Sequence, residues 1–348
     1  MIEFLSLKPE AFGLDISDLS LRIAKLKKRG KFFRLVSLGG TKIKPGIIEQ
    51  GEIKDENALA RIIKQTLAKI KGDKIKTKYL IASLPEKKAF LQVIEMPKMK
   101  ESELKTSVPF EAENYVPLPI EKVYLDFQVI PSSNQPDRLN ILIAALPKKT
   151  VDPYISCFKK AGLIPLALEV ESQSIVRVVI KNEISPFPLL IIDFGRDATS
   201  FIVFSGYSLR FTSSDSASSQ GLTEIISKTL KLSLNEAEKL KLKRGLKDEK
   251  ALKAMTPLLI DLMGHAKKCI NYHRSHSEEI KKILLCGKGS NLKGLSDFIS
   301  SEFKITVELV NPWINILPEP LKEVPGLSFK ESLGYTTALG LALRGVKK

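Results

Sequence analysis

The sequence predicts an α/β chain folded as two lobes, and three observations carry that prediction. At 348 residues the chain exceeds what one ordinary hydrophobic core holds. Short apolar runs alternate with segments of helical spacing, the pattern of strands interleaved with helices. The opening "FGLDISDLSLRI" is also repeated in plan by "LLIIDFGRDATSFIVFSG" at 189–206: apolar run, acid, polar turn, second apolar run. Each half therefore begins with a hairpin that carries an acid at its first turn.

Taken in order, "AFGLDISDLSLRIAKLKK" and "FFRLVSLGGTKI" read as three strands joined by a polar turn and a basic one. Leu59, Ile62, Ile63, Leu67 and Ile70 share one helical face over 55–71, with Asp55 as N-cap, and "KYLIASLP" is a buried strand closed by Pro85. A different unit follows. It has strand "AFLQVIEMP", a helix over 100–114, strands "VYLDFQVI" and "LNILIAALP" across the breaker-rich "PSSNQPDR", and a second helix over 150–161. Strand "LIPLALEV", a helix Ser172–Asn182 and the "SPFP" break close this half. In the second half the hairpin gains a third strand through "YSLRFTSS", then long helices over 221–243 and 248–276. "IKKILLCGKGSNLKGLSDFISSEF" is strand, glycine turn and helix, with Asn291 as a cap, and "SLGYTTALGLALRG" is a final apolar helix. The expected division is a first lobe over 1–88, completed by 164–185 and 333–348, a subdomain inserted over 89–163, and a second lobe over 188–332.

Hydrophobic content of 43% with 27% charged residues describes a folded chain. The formal net charge of +16 admits nucleic acid, an anionic membrane surface or bound phosphate. The lysines are spread through the first half and over 228–253, mostly as solvated faces. No RNP-like aromatic motif or helix-turn-helix accompanies them, so nucleic acid is not an expected partner. Cys157, Cys269 and Cys286 are few, odd in number and far apart, which suits a reducing compartment. "MIEFLSLKPEAFG" lacks the regions of a signal peptide, and no apolar run is long enough to span a bilayer. A cytoplasmic chain that meets a membrane through a partner or its basic face is expected.

The paired acids carry the chemistry. Two polar turns facing each other across a cleft can cradle a polyphosphate with N–H groups and hydroxyls, while Asp15 and Asp193 hold Mg²⁺ through its water shell. Either acid alone reads as an ordinary turn opener; the repeated plan favours the paired reading. Gly287 and Gly289 directly follow a buried strand, where the absence of a side chain lets a flat ring approach the backbone. The spacing is not that of a P-loop, nor of a dinucleotide fingerprint.

In this order "DISDLSLR", "DFGRDATS", "AEKLK" at 237–241 and "CGKGSNLKG" resemble the phosphate 1, phosphate 2 and adenosine motifs of the actin-like ATPase superfamily, whose fold is RNase H-like. The 89–163 unit resembles the strand–helix–strand–strand (SHS2) subdomain of the FtsA and PilM families. "SVPFEAENYVPLPIEKVYLDFQVI", "LPEKKAFLQVIEMP" and "LGYTTALGLALR" are similar to PilM across essentially the whole chain. The resemblance implies a cytoplasmic ATP-binding scaffold of type IV pilus assembly, or of a related secretion or DNA-uptake machine. It would capture the cytoplasmic N-terminal peptide of the inner-membrane protein PilN. It places Asp15, Ser17, Ser20 and Arg22 at phosphate 1, and Asp193, Gly195, Thr199 and Gly221 at phosphate 2. Glu238 and Lys241 would face ribose and base, with Gly287 and Gly289 beneath adenine.

Two departures stand out. Ser17 replaces the family's usual glycine, and "SSQGLTE" offers only Gly221 where a Gly-Gly pair is usual. Binding is therefore expected rather than turnover. The first alternative is an FtsA-like cytoskeletal or cell-division filament protein, although the chain stops at "GLALRGVKK" without the membrane-anchoring helix that reading needs. The second is a scaffold that no longer binds nucleotide; self-association is compatible with either. His265, Cys269, His273 and His276 sit at helical spacings that could ligate zinc, but ordinary helix packing is the plainer reading. No "GxSxG" elbow supports hydrolase chemistry. Trp313, the only tryptophan, falls in an expected edge strand and turn, where "INILP" resembles the Ile-Asn-Leu-Leu-Pro segment that the family is expected to bind.

Overall fold

A computed structural model describes residues 9–131, 137–275, 278–318 and 326–347. His276, most of the turn at 131–138 and residues 319–320 lie outside the described residues.

Strands β1 (Phe12–Ser17), β2 (Ser20–Arg29) and β3 (Phe32–Lys42) form an antiparallel meander. The small hairpin β4 (Ile48–Glu49) and β5 (Glu52–Ile53) follows, then α1 (Glu56–Ala68), β6 (Lys71–Gly72) and β7 (Tyr79–Leu84). The Asp55 side chain caps α1 by accepting from Ala58 N–H, as the sequence predicts. Next come β8 (Phe90–Pro97), α2 (Glu101–Ala112), β9 (Val123–Ile130), β10 (Arg138–Pro147), α3 (Lys148–Lys160), β11 (Ile164–Val170) and α4 (Glu171–Val179). The second half holds β12 (Ser185–Phe194), β13 (Thr199–Gly206), β14 (Ser208–Asp215), α5 (Ser219–Leu230), α6 (Leu234–Lys243), α7 (Glu249–Arg274), β15 (Lys282–Cys286), α8 (Leu295–Phe303) and β16 (Thr306–Leu309). The short α9 (Phe329–Ser332) leads into α10 (Thr336–Val346).

Two principal sheets result. One has the order β11-β7-β1-β2-β3-β6, the other β16-β15-β12-β13-β14-β8-β10-β9. The strands of the 89–163 unit thus extend the sheet of the second half, through one bridge between Phe211 and Gln92. Its last helix, α3, packs instead on the first: Tyr154 Oη donates to Gly51 O, and Lys160 pairs with Glu56.

Helix α10 returns to the first sheet and lies backbone to backbone on β1 and α4. A Cβ on Gly13 would meet Ala338 O at 2.4 Å, and one on Gly340 would overlap Ser174 O. Among the described residues no helix is long and apolar enough to cross a membrane.

Three local expectations fail for identifiable reasons. The helix expected over 221–243 is two, because Lys231 adopts the left-handed conformation (φ 52°) and Ser233 with Glu236 makes a capping box that starts α6. Asn291 is not the cap of α8. Gly294 holds that position, and Asn291 Nδ2 donates to Lys288 O and Lys330 O, tying the glycine turn to α9. Trp313 is buried as packing demands, but it lies in turns beyond the edge strand β16 rather than in a strand.

Candidate functional site

The β1–β2 turn pairs Ser17 with Ser20 and Asp15 with Arg22. Opposed residues, and residues two apart, share a face of a sheet, so these four emerge together while Ile16 and Leu21 enter the core. The β12–β13 turn repeats the device: Asp193 opposes Ser200, and Phe194 opposes Thr199. Asp193 and Ser200 therefore face the first turn, across a cleft that leaves about 80 Å³ free. The cleft is bridged, since Leu19 N–H donates to Asp197 Oδ2 at 2.8 Å. Asp18 beside it accepts from Gly51 N–H and pairs with Lys87 at 2.9 Å.

Six acids line this space: Asp15, Asp18, Glu86, Glu171, Asp193 and Asp197. Asp15 is 5% exposed, accepts from the Ser83 hydroxyl at 3.1 Å and lies 3.5 Å from the Arg22 guanidinium, which in turn sits over the Tyr335 ring. Burial pushes its carboxyl above the usual range, against the pull of Arg22. Burial, with the neighbouring Asp15, pushes Asp193 up to about 6. Glu86 and Glu171, which the sequence reading missed, line the same cleft and are pushed up by burial too; Asp15, Glu86 and Asp193 add to the effect on Glu171. Nothing in "SLPEKK" or "LEVESQS" marks either glutamate, because only the meeting of the two sheets brings them inside. The donor set is all oxygen, which suits a hard cation such as Mg²⁺ and disfavours softer metals. Among the described residues no three His, Cys, Asp or Glu side chains are placed to hold an ion directly.

Not every expected residue reaches the cleft. Thr199 is fully buried and its hydroxyl donates to Ala217 O at 2.6 Å, so Ser200 takes the place expected for Thr199. The register decides this, since Thr199 shares its face with Phe194. Gly195 lines the cleft. Gly221 sits in the first turn of α5, where its N–H is taken by the Ser218 hydroxyl. The N–H groups of Ser219 and Gln220 go to Gly195 O and Arg196 O, so the β12–β13 turn closes that helix end. Lys241 is 3% exposed and its ammonium pairs with Glu238 at 2.7 Å and donates to Ser219 O and Thr223 Oγ1, joining α6 to α5. Gly287 has φ +80°, and a Cβ there would meet Asp193 Oδ1 at 2.3 Å; on Gly289 it would meet Phe194 Cδ1 at 2.7 Å. The close approach these glycines permit is to the end of β12.

Among the described residues of the histidine stretch, no three His, Cys, Asp or Glu side chains meet as a metal site. His265 stacks on Phe201, its Nε2 lies 2.8 Å from Ser213 Oγ and its Nδ1 3.1 Å from Asp215 Oδ2, whereas Cys269 is buried in the core. Ser213 and Asp215 lie at the end of β14 and His265 on α7, without the strand-to-helix turn that presents a nucleophile beside oxyanion donors.

A second concavity is larger, leaving about 690 Å³ free between β9, β10, β11 and α3. Leu142, Leu146 and Leu168 contribute to an apolar wall, and the buried Glu169 is held by both Arg177 and Arg344 at its end. Both β9 and β11 are edge strands, one from each principal sheet. Leu166 lines this groove and is 45% exposed.

Comparisons with known proteins bear on both concavities. The family model described as type IV pilus assembly protein PilM matches residues 13–346. A solved structure, the PilM-PilN type IV pilus biogenesis complex, superposes with TM-score 0.83 at 26% identity, covering 98% of this chain and 100% of that one. Ethanolamine utilization protein EutJ from Carboxydothermus hydrogenoformans (TM-score 0.58, 12% identity, 99% and 93% coverage) shares the fold. So does MreB 5 of Spiroplasma citri bound to AMPPNP (0.55, 12%, 97% and 96%). The cell division protein FtsA of Enterococcus hirae is 25% identical over 190 residues, 48% of this chain and 43% of that protein, so the match spans less than half of that relative's length.

Proposed function

The chain belongs to the type IV pilus assembly protein PilM family, and from that premise we propose a two-site scaffold that holds a partner peptide in the groove and a nucleotide in the cleft. The observation that carries this reading is the groove bordered by two sheet edges, β9 and β11. An extended peptide adds to such an edge through main-chain hydrogen bonds, while apolar pockets select its alternate side chains. The partner chemistry follows from the PilM-PilN complex, which this chain resembles over nearly its full length. The proposed ligand is the N-terminal peptide of a PilN-like inner-membrane protein, with an Ile-Asn-Leu-Leu-Pro segment along the leucine wall. Attachment to the membrane through that partner follows from the same reading.

For the cleft, the proposed ligand is ATP with Mg²⁺. Asp15 and Asp193 would hold the cation through water, and Ser17, Ser20, Ser200 and the turn N–H groups would receive phosphate oxygens. Arg22 remains the cation beside Asp15. When bound, the metal supplies positive charge that offsets the crowding of the acids. Leu19 N–H, now given to Asp197, is the donor released when the turns part. Ligand pockets commonly measure about 300–1,000 Å³, so at about 80 Å³ the cleft must open before a nucleotide enters. That same tightness favours the second reading, a scaffold that has lost nucleotide binding.

Calorimetric titration separates the readings. The two-site reading requires that the PilN-type peptide bind without nucleotide and that Mg-ATP bind the parent protein. Peptide binding with no heat from Mg-ATP leaves the scaffold alone standing, and failure of the peptide overturns the proposal.

A further inference from the structure

We propose that the outward face of the β2–β3 hairpin docks on an anionic lipid bilayer. The inference is independent of the groove and the cleft. Read along the sequence, the lysines look scattered, but the fold gathers them. Residues 26–35 and 69–78 hold ten lysines and arginines against one acid, Asp73, a net of +9 in twenty residues where the chain as a whole carries +16. β6 pairs with β3, and Lys27 reaches Asp73 at 3.7 Å, so the two segments are neighbours.

The register sorts the hairpin into two faces. Leu26 opposes Leu35 and Lys28 opposes Phe33; on this face Leu26 is buried and Leu35 and Phe33 are half-buried, while Lys28 is exposed, and Phe33 N–H donates to Ile316 O. Lys27 opposes Arg34 and Arg29 opposes Phe32, and these four share the other, exposed face. Like charges set directly across a strand pair weaken it, so Lys27 opposite Arg34 adds nothing to the hairpin, and the single acid Asp73, 3.7 Å from Lys27, leaves most of the positive charge of this face for an outside partner. At the tip, Phe32 is 42% exposed beside Gly30 and Lys31, in a chain whose other phenylalanines are mostly covered. An aromatic side chain ringed by cations on a projecting hairpin suits the membrane interface: the ring enters the headgroup boundary and the cations meet lipid phosphates. A nucleic acid would call for a groove or a series of stacking aromatics, and this face offers one ring.

The hairpin projects from the end of the first sheet opposite the β1–β2 turn, because β1 pairs with β2 only from Gly13↔Ala24 to Ser17↔Ser20. Docking there leaves the cleft uncovered.

The test is co-sedimentation of the full chain with vesicles of phosphatidylcholine alone or mixed with phosphatidylglycerol, at about 0.1 M salt, where exposed charges interact within roughly 10 Å. Binding to the mixed vesicles is expected, with little to the neutral ones. Lys27→Glu/Arg34→Glu is expected to weaken it at least tenfold and Phe32→Ser severalfold, while Lys253→Glu/Lys268→Glu, equal in charge but placed on α7, changes it less than twofold. Emission of the single tryptophan, Trp313, buried beside the hairpin's seat on Ile316, verifies that each variant keeps its packing. Equal binding to both vesicle types, an equal loss in the α7 variant, or displacement from vesicles by duplex DNA at matched phosphate concentration overturns the proposal.

Discussion

The groove leaves about 690 Å³ free along a leucine wall between two bare sheet edges, whereas the cleft leaves about 80 Å³ among six carboxylates and is bridged by the Leu19–Asp197 hydrogen bond. Burying a peptide in the groove removes apolar surface from water and requires no rearrangement of charge. Filling the cleft requires the turns to part and the acids to be neutralised. On the proposed two-site reading, the difference teaches that the two ligands would act on the chain in different ways. The peptide would meet a surface already formed, and a nucleotide would have to shift the relation of the two sheets, which would give it leverage on anything that senses closure.

The largest effect that tests this contrast comes from Asp15→Ala and Asp193→Ala. Each is expected to abolish Mg-ATP binding in calorimetry, a loss of a hundredfold or more, while peptide affinity stays within twofold. A parallel fall in peptide affinity would show that the sites are not separate. Leu166→Asp inverts the pattern. It sets a charge on the groove wall and should weaken the peptide roughly thirtyfold, about 2 kcal/mol, with Mg-ATP unaffected.

A smaller effect follows from Asp193. Its folded-state value of about 6 exceeds that of an ordinary aspartate, so the folded chain binds more protons than the unfolded one between roughly pH 4 and 6. Stability from this group therefore falls as pH rises through that window. Its full loss, on the order of 1–3 kcal/mol, is present at pH 7. Asp193→Asn is expected to raise the melting temperature at pH 7 and to flatten its decline between pH 4 and 6. An unchanged slope would remove Asp193 as its source.

The smallest effect separates two adjacent hydroxyls. Thr199→Ala should cost about 1 kcal/mol of stability by stranding Ala217 O, with nucleotide affinity kept. Ser200→Ala should leave stability nearly unchanged and lower the affinity a fewfold.

That last pair also measures how far the sequence could be read. The repeated acid at a strand end marked both turns, and periodicity marked α1, α3, α7 and α10. Thr199 was misplaced because the motif was read as a string; counting cross-strand partners from the turn assigns it to the face of Phe194. The split between α5 and α6 was also legible, in Ser233 and Glu236, but apolar spacing on both sides hid it. Glu86, Glu171 and Asp197 were out of reach, because each becomes part of the cleft only when segments distant in sequence close around it. The groove was unreadable for the same reason, as its two walls belong to different sheets.

The backbone-to-backbone seat of α10 on β1 and α4 has a consequence in time. Strand β1 is synthesised first and α10 some 320 residues later, which at about 5–20 residues per second is a delay of roughly 16–64 seconds. Throughout that interval the first sheet waits with its Gly13 face bare on the ribosome, so its folding is post-translational in character even though its strands lead the chain. A destabilised α10, as in Gly340→Leu, should therefore reduce soluble yield far more than its distance from either ligand site suggests, with the loss appearing during synthesis rather than in the melting of protein already folded.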